Sequence, residues 1–245
     1  MEDLGNNLIF NKTNKTNYNK IYENSILNIL EIQKIFDISI SLYKKEKYFN
    51  ESLLFVKWVL DKYCRLNVSN KDYLRLKKSI FFLTNNINHN NNKVVHRDYH
   101  SKNLFFKNNK TIIIDYQDAV YGSPLYDLVS LINDCYRDIN VNSQNKFIKL
   151  FLENYNENNK FKFSKDEFNY NFNLLSAQRH MKASGIFCRL SIRDNRHNYL
   201  TYLNRTISYI IKATSNYKNL RIINTFASEA INNINESNNS SCRTR

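Results

Sequence analysis

Midway along the chain the hydrophobic period changes, then changes back. Lys93-Val94-Val95, Asn103-Leu104-Phe105-Phe106 and Thr111-Ile112-Ile113-Ile114 are short apolar runs bounded by polar turns, the pattern of small strands. On either side the apolar residues recur at helical spacing. Ile26, Leu27, Ile29, Leu30, Ile32, Ile35 and Phe36 predict a helix from Ile21 to about Ile38. Leu53, Leu54, Val56, Trp58, Val59 and Leu60 predict a second over 51–66, with Asn50 as N-cap, and a third over 71–82 leads into an Asn-rich loop at 85–92. Beyond Asp115 the spacing predicts helices over 125–139, 144–156, 165–187, 197–214 and 217–233, the third opened by a Ser164-x-x-Glu167 capping box. Residues 6–19 read as a polar loop, and the tail after Glu236 as frayed. The expected class is α+β: mostly helical, with a small β insert and no internal repeat.

A chain of 245 residues suits one large domain or a lobe-and-a-half, and 42% hydrophobic with 24% charged residues excludes a disordered, collagen-like or disulfide-stapled chain. The net charge of +14 invites a nucleic-acid reading. Against it, the lysines are scattered, no arginine-rich block exists, and basic and aromatic residues do not interleave as base-stacking surfaces do. Heavy use of Lys, Asn, Ile, Tyr and Phe fits an A/T-rich codon bias, so no specific nucleic-acid partner is expected, only a modest pull on anionic ligands. Cys64, Cys135, Cys188 and Cys242 form no metal-binding spacing. With no apolar leader after Met1-Glu2-Asp3 and no stretch long enough to span a bilayer, a cytoplasmic chain without a membrane partner is the expectation.

The segment that carries chemistry is Val95-His96-Arg97-Asp98-Tyr99-His100-Ser101-Lys102-Asn103, followed twelve residues later by Ile112-Ile113-Ile114-Asp115. Phosphoryl transfer needs one carboxylate beside the attacking hydroxyl and a second that holds Mg²⁺ against the nucleotide phosphates. An amide five residues after the first carboxylate completes the metal shell. Asp98 fits the base, and Asn103 and Asp115 fit the metal ligands. An H-R-D-x-x-x-x-N run with an aspartate at the end of an apolar strand is a specific signal for this chemistry.

On these residues the stretch from 94 to about 135 resembles the aminoglycoside phosphotransferase and choline kinase family, whose fold is similar to that of protein kinases. The resemblance implies ATP as co-substrate, Mg²⁺ as cofactor, and the same roles for Asp98, Asn103 and Asp115. Asp115-Tyr116-Gln117-Asp118 stands where protein kinases have D-F-G, and Gly122-Ser123-Pro124-Leu125-Tyr126-Asp127-Leu128 resembles the family's G-x-P-x-x-D-L segment. Asp127 admits two readings, a member of the site or a buried acid bracing the catalytic-loop backbone; the second is preferred. His96 is expected to hydrogen-bond backbone near Asp115.

A narrower resemblance, to bacterial cell-wall sugar kinases acting on the anomeric hydroxyl of N-acetylmuramate and N-acetylglucosamine, rests on His96–Asn103, Asp115–Gly122 and Tyr126–Leu131. It extends through Gln178-Arg179-His180-Met181-Lys182 and Gly185–Leu190 to Arg193-Asp194 and Tyr199-Leu200. It implies an amino sugar as substrate, with Tyr99, His100, Gln117 and Asp118 offering polar groups to its hydroxyls. Arg179 and His180 either read the substrate or are a buried ion pair and a satisfied core histidine; both readings stand. Asn195 replaces the subfamily's usual glycine after Arg-Asp, and asparagine tolerates the left-handed backbone that a glycine there implies.

Met1-Glu2-Asp3-Leu4-Gly5 resembles the family's hinge, with Glu2 and Leu4 at the nucleotide. This divides the chain into a hinge remnant (1–9), a kinase-like C-lobe (10–236) and a disordered tail (237–245). It implies that the β-rich N-lobe with its phosphate-binding lysine lies outside this sequence, in a misplaced start, a broken gene or a separately encoded partner. The corresponding expectation is weak ATP binding by the chain alone. The rival readings are a kinase for an aminoglycoside, choline or another small hydroxylated substrate, and an inactive kinase-like remnant.

Overall fold

The structure is a computed structural model that describes residues 4–5, 7–12, 17–88 and 92–243. In chain order the elements are α1 (Ile9–Lys12), α2 (Tyr18–Ile32), α3 (Lys45–Leu54), a π-helical segment (Phe55–Tyr63), α4 (Asn70–Asn86), β1 (Lys93–Val95), β2 (Leu104–Lys107), β3 (Lys110–Ile113) and β4 (Val120–Gly122). There follow α5 (Tyr126–Ile132), α6 (Val141–Asn158), α7 (Lys165–Asp194), a 3₁₀ turn (His197–Tyr202), α8 (Leu203–Thr214), a second 3₁₀ turn (Lys218–Leu220) and α9 (Arg221–Arg243). The chain is mostly helical with small sheets, as the periodicity predicts. Contacts divide it into two compact units, Met1–Tyr43 with Asn88–Phe172, and Lys44–Ile87 with Asn173–Arg245.

The first unit holds the four strands found among the described residues, in two antiparallel pairs: β1 with β4 (Val94 opposite Tyr121) and β2 with β3 (Phe105 opposite Ile112). The β4 strand was not foreseen; its partner lies a loop and a hairpin away, so no local alternation announces it. Residues 7–10, expected as loop, run along β2: the Phe106 N–H donates to the Asn7 carbonyl (2.8 Å), and the Phe10 N–H to the Ser101 carbonyl (3.0 Å). The α2 and α6 helices pack through Tyr22 stacked on Phe147, centroids 5.4 Å apart. The α2 helix stops at Ile32, short of the predicted Ile38, and leaves Phe36 84% and Ile38 90% exposed. The α5 helix ends at Ile132 instead of near 139, because Asp134 turns its carboxylate onto backbone N–H groups.

In the second unit the predicted helix 51–66 is two segments, and Asn50 lies inside α3 instead of capping it. The π turn is visible in the i→i+5 bond from the Cys64 N–H to the Val59 carbonyl (2.8 Å). It begins beside Gly185 of α7, which lies so close that a Cβ there would stand 2.5 Å from the Leu54 carbonyl carbon. Only glycine permits that approach. Capping follows the sequence: Ser69 accepts from the Asp72 N–H (3.1 Å), and Ser164 and Glu167 exchange backbone bonds (3.3 and 3.1 Å). The α7 helix ends at a left-handed residue, Asn195 at φ +53°, after which the Arg196 N–H turns back to the Leu190 carbonyl six residues upstream (3.0 Å). The α9 backbone is helical to Arg243, where composition predicted a frayed tail. Cys64, Cys135 and Cys188 are buried and in no disulfide. Among the described residues no helix is long and apolar enough to cross a membrane.

Candidate active site

The segment His96–Asn103 connects β1 to β2, and two buried carboxylates hold its backbone in place. The Asp127 carboxylate, on α5 and 1% exposed, accepts from the His96 N–H (2.7 Å) and the Arg97 N–H (3.0 Å). Asp134, fully buried just beyond α5, accepts from the Ser101 N–H (2.9 Å) and the Tyr136 N–H (2.8 Å). Burial pushes the Asp127 carboxyl above the usual range, against the pull of the nearby His96 ring and the two N–H donors. These bonds let Arg97 adopt a left-handed φ of +75°, a conformation costing of order 1–3 kcal/mol that persists only where neighbours over-determine it. The Arg97 guanidinium then lies 4.9 Å over the Tyr43 ring and donates to the Asp118 carbonyl (3.3 Å).

Within this brace hydrogen bonds join Asp98 to Asn103, and Asn103 to the residue before Asp115. The Asn103 amide donates to the Asp98 carbonyl (3.1 Å), and the Asn103 carbonyl accepts from the Ile114 N–H (3.2 Å). A single tautomer of the buried His96 joins both sides. With the proton on Nε2 the ring donates to the Ile114 carbonyl (2.9 Å), while Nδ1 accepts from the Asp98 N–H (3.3 Å). Asp115 follows directly, at φ +66°, its carboxylate exposed and accepting from the Gln117 amide. Asp98 is half-buried at the loop apex, and Asp118 is exposed. An apolar-lined cavity of about 520 Å³ adjoins, bounded by Ile32, Ile35, Val94, His96, Ile113 and Gln117 among others.

Among the described residues no group of three or more His, Cys, Asp and Glu forms a metal cage. One carboxylate and one amide oxygen instead suit a hard cation such as Mg²⁺, which keeps waters and takes further ligands from phosphates. Asp115 and Asn103 fit that donor set.

Other expected site residues lie elsewhere. Tyr99 is fully buried, and its hydroxyl donates to the Ser25 carbonyl (2.7 Å); burial and the nearby Asp127 raise its phenol well above the usual value. It is a core residue in this structure, not a group facing a ligand. His100 is also buried, edge-on to Tyr136 at 4.9 Å. Arg179 and His180 sit on α7 in the second unit, both buried; His180 Nδ1 donates to the Ser176 carbonyl (2.6 Å) and its ring lies 4.8 Å from Tyr209. The Leu4 carbonyl accepts from the Asn7 amide (2.6 Å), and Glu2 lies outside the described residues. Asp134 and the Arg97–Tyr43 stack were not anticipated. An acid closing the apolar run Leu128–Ile132 was the available signal for Asp134.

Residues 46–158 match the family model of the phosphotransferase enzyme family. The chain is 26% identical over 230 residues to an N-acetylmuramate/N-acetylglucosamine kinase of Neisseria meningitidis serogroup B, covering 90% of this chain and 68% of the relative. Kinases of the same name from Pseudomonas aeruginosa and Pseudomonas putida are each 25% identical, covering 88% and 85% of this chain and 64% and 62% of the relatives. The chain thus spans about two-thirds of the length of these relatives. In fold it is similar to an amicoumacin kinase solved in complex with AMP-PNP, Ca²⁺ and Ami, with a TM-score of 0.55 and 14% identity over 81% of this chain and 61% of that one.

Proposed function

We propose that this chain, a phosphotransferase by its family match and its relatives, moves the γ-phosphoryl group of ATP to a hydroxyl of an N-acetylated amino sugar, of the N-acetylmuramate or N-acetylglucosamine class. The observation that carries the reading is the hydrogen-bonded link from the Asp98 backbone through His96 and Asn103 to the backbone of Ile114, the residue before Asp115. Phosphoryl transfer asks little covalent chemistry of the protein and much positioning. Asp98 accepts the proton of the attacking hydroxyl at a carboxylate oxygen and aims that hydroxyl at the phosphorus. Asp127 and Asp134 keep the loop from yielding when the carboxylate changes partner, since each holds its backbone N–H groups from a buried position. Asn103 and Asp115 would hold Mg²⁺, which when bound offsets charge on the phosphate oxygens. Gln117 orients the Asp115 carboxylate from the exposed side.

The amino-sugar assignment is supported by the names of the relatives and by the resemblance in 178–200, and the reaction class by the loop geometry. The test is incubation with ATP and Mg²⁺ against N-acetylglucosamine, N-acetylmuramate, choline and an aminoglycoside, reading ADP release and product mass. Sugar phosphate from the first two is the expected result. Phosphorylation of choline or the aminoglycoside alone overturns the substrate assignment, and sugar phosphorylation that survives Asp98→Asn overturns the role of Asp98.

A further inference from the structure

All of the chain's net charge resides in one unit. The unit built from residues 44–87 and 173–245 carries 21 Lys and Arg against seven Asp and Glu, a net +14, whereas the other carries 15 of each and is neutral. The lysines are shared evenly, 13 in the neutral unit and 11 in the charged one; the asymmetry comes from arginine, two against ten, and from the acids, 15 against seven. Within the charged unit lies a cavity of about 630 Å³ between α4, the Lys218–Leu220 turn and the start of α9. Exposed Arg75, Lys78, Lys218 and Arg221 line it, over a floor that includes Phe82, Ile222 and Phe226. Arg75 pairs with Asp72 (2.9 Å), which is also held by the Ser69 hydroxyl. Lys78, Lys218 and Arg221 have no ion-pair partner among the described residues. The remaining acid, Glu229, stands two helical turns beyond Arg221, roughly 12 Å along the axis at about 1.5 Å per residue, so one end of the cavity is cationic. The buried Ser79 hydroxyl donates to the Asn219 carbonyl (2.6 Å), fixing the two sets of cations to one another.

We infer that this cavity binds a ligand presenting a run of two or more linked phosphates, either an inorganic chain or the tail of a nucleotide. Lys78, Lys218 and Arg221, the three cations left unpaired, repel one another across the concavity, and a multivalent anion relieves that repulsion where a single phosphate engages only part of it. The volume falls in the range of small-ligand sites, about 300–1,000 Å³, far more than one phosphate fills. The field of the whole unit draws such an anion in. The inference is independent of the transfer reaction proposed above, because its readout is binding without metal.

The test is calorimetric titration of the full chain with inorganic triphosphate, orthophosphate and ATP, in EDTA and at physiological salt. Triphosphate is expected to saturate one site, at least about tenfold tighter than orthophosphate. The double reversal Lys78→Glu/Arg221→Glu is expected to weaken it at least about tenfold. Lys57→Glu/Lys62→Glu removes the same charge from exposed positions outside the cavity, and is expected to change the affinity less than about threefold because solvent and salt screen it. Tighter binding of ATP than of triphosphate assigns the site to a nucleotide, and equal binding assigns it to the phosphate chain. Equal weakening by the two double variants, equal affinity for triphosphate and orthophosphate, or no saturable binding overturns the inference.

Discussion

Removing the Asp127 carboxylate tests the brace on which the site depends. In Asp127→Ala, the His96 and Arg97 N–H groups lose acceptors now 2.7 and 3.0 Å away and have no water to replace them in a 1% exposed environment. Each orphaned buried donor costs about 1–3 kcal/mol, giving about 2–6 kcal/mol before the relief of removing a desolvated carboxylate. The expected net loss is about 2–4 kcal/mol, which for a chain of this size lowers the midpoint of thermal unfolding by about 4–16 °C. Asp127→Asn keeps one acceptor but turns an NH₂ toward the other donor, so it should fall between wild type and Ala. The assay pairs urea unfolding with amide hydrogen exchange, because the exchange readout is local: His96 and Arg97 should lose protection in Asp127→Ala while the α8 and α9 amides keep theirs. The pH dependence carries a sign. Since burial raises the Asp127 pKa above its unfolded value, the native state holds the proton to higher pH. The stability this confers is full below the ordinary carboxylate pKa and is lost as pH rises through the raised one, a slope that Asp127→Asn should lack. Unchanged stability together with unchanged protection at His96 and Arg97 in Asp127→Ala would refute the brace.

Further expectations concern packing and accessibility. Gly185→Ala must open a 2.5 Å approach to the Leu54 carbonyl carbon, and overpacking of about 1–3 kcal/mol should outweigh the roughly 1 kcal/mol gained from alanine's helix propensity; a more stable variant by urea unfolding would contradict the close approach. Tyr99→Phe should cost about 0.5–1.5 kcal/mol by removing one hydrogen bond, since the Ser25 carbonyl inside α2 keeps its helical N–H, while leaving KM for the sugar unchanged; a large rise in KM with unaltered stability would return Tyr99 to the binding site. Cys64, whose thiol burial pushes up to about 11, and Cys188, raised further by burial and by Cys64, should resist iodoacetamide at pH 8 in the native chain and react after unfolding. Native alkylation at either position, mapped by mass spectrometry, would count against the packing of the second unit.

What the sequence made legible was whatever depends on near neighbours. The strand-loop-strand run from Lys93 to Ile113 and the Ser164–Glu167 capping box follow from local spacing and residue type, and the left-handed Asn195 from the resemblance, which has a glycine there, with asparagine's tolerance of that conformation. What it hid depends on distant backbone. Asp134 acts on an amide 33 residues upstream, and β4 exists because β1 offers it an edge. The π turn at Phe55 sits where Gly185, far along the chain, comes against Leu54. Motif adjacency misled at Tyr99 and His100: neighbours of Asp98 in sequence, they fall on the interior side of a sharply turning loop. The segregation of charge was invisible for a similar reason, since the basic unit is assembled from two segments 85 residues apart in the chain.

The central claim is that Asp98 handles the proton in a phosphoryl transfer from ATP to an amino sugar. Its most direct test is the rate of ATP-dependent sugar-phosphate formation by wild type and Asp98→Asn, with urea stability measured on the same samples. Loss of a positioned general base predicts a fall in kcat of about 10²–10⁴-fold. Because Asp98 is half-buried at the loop apex, stability should stay within about 0.5 kcal/mol. Sugar phosphate formed by Asp98→Asn at the wild-type rate would contradict the account.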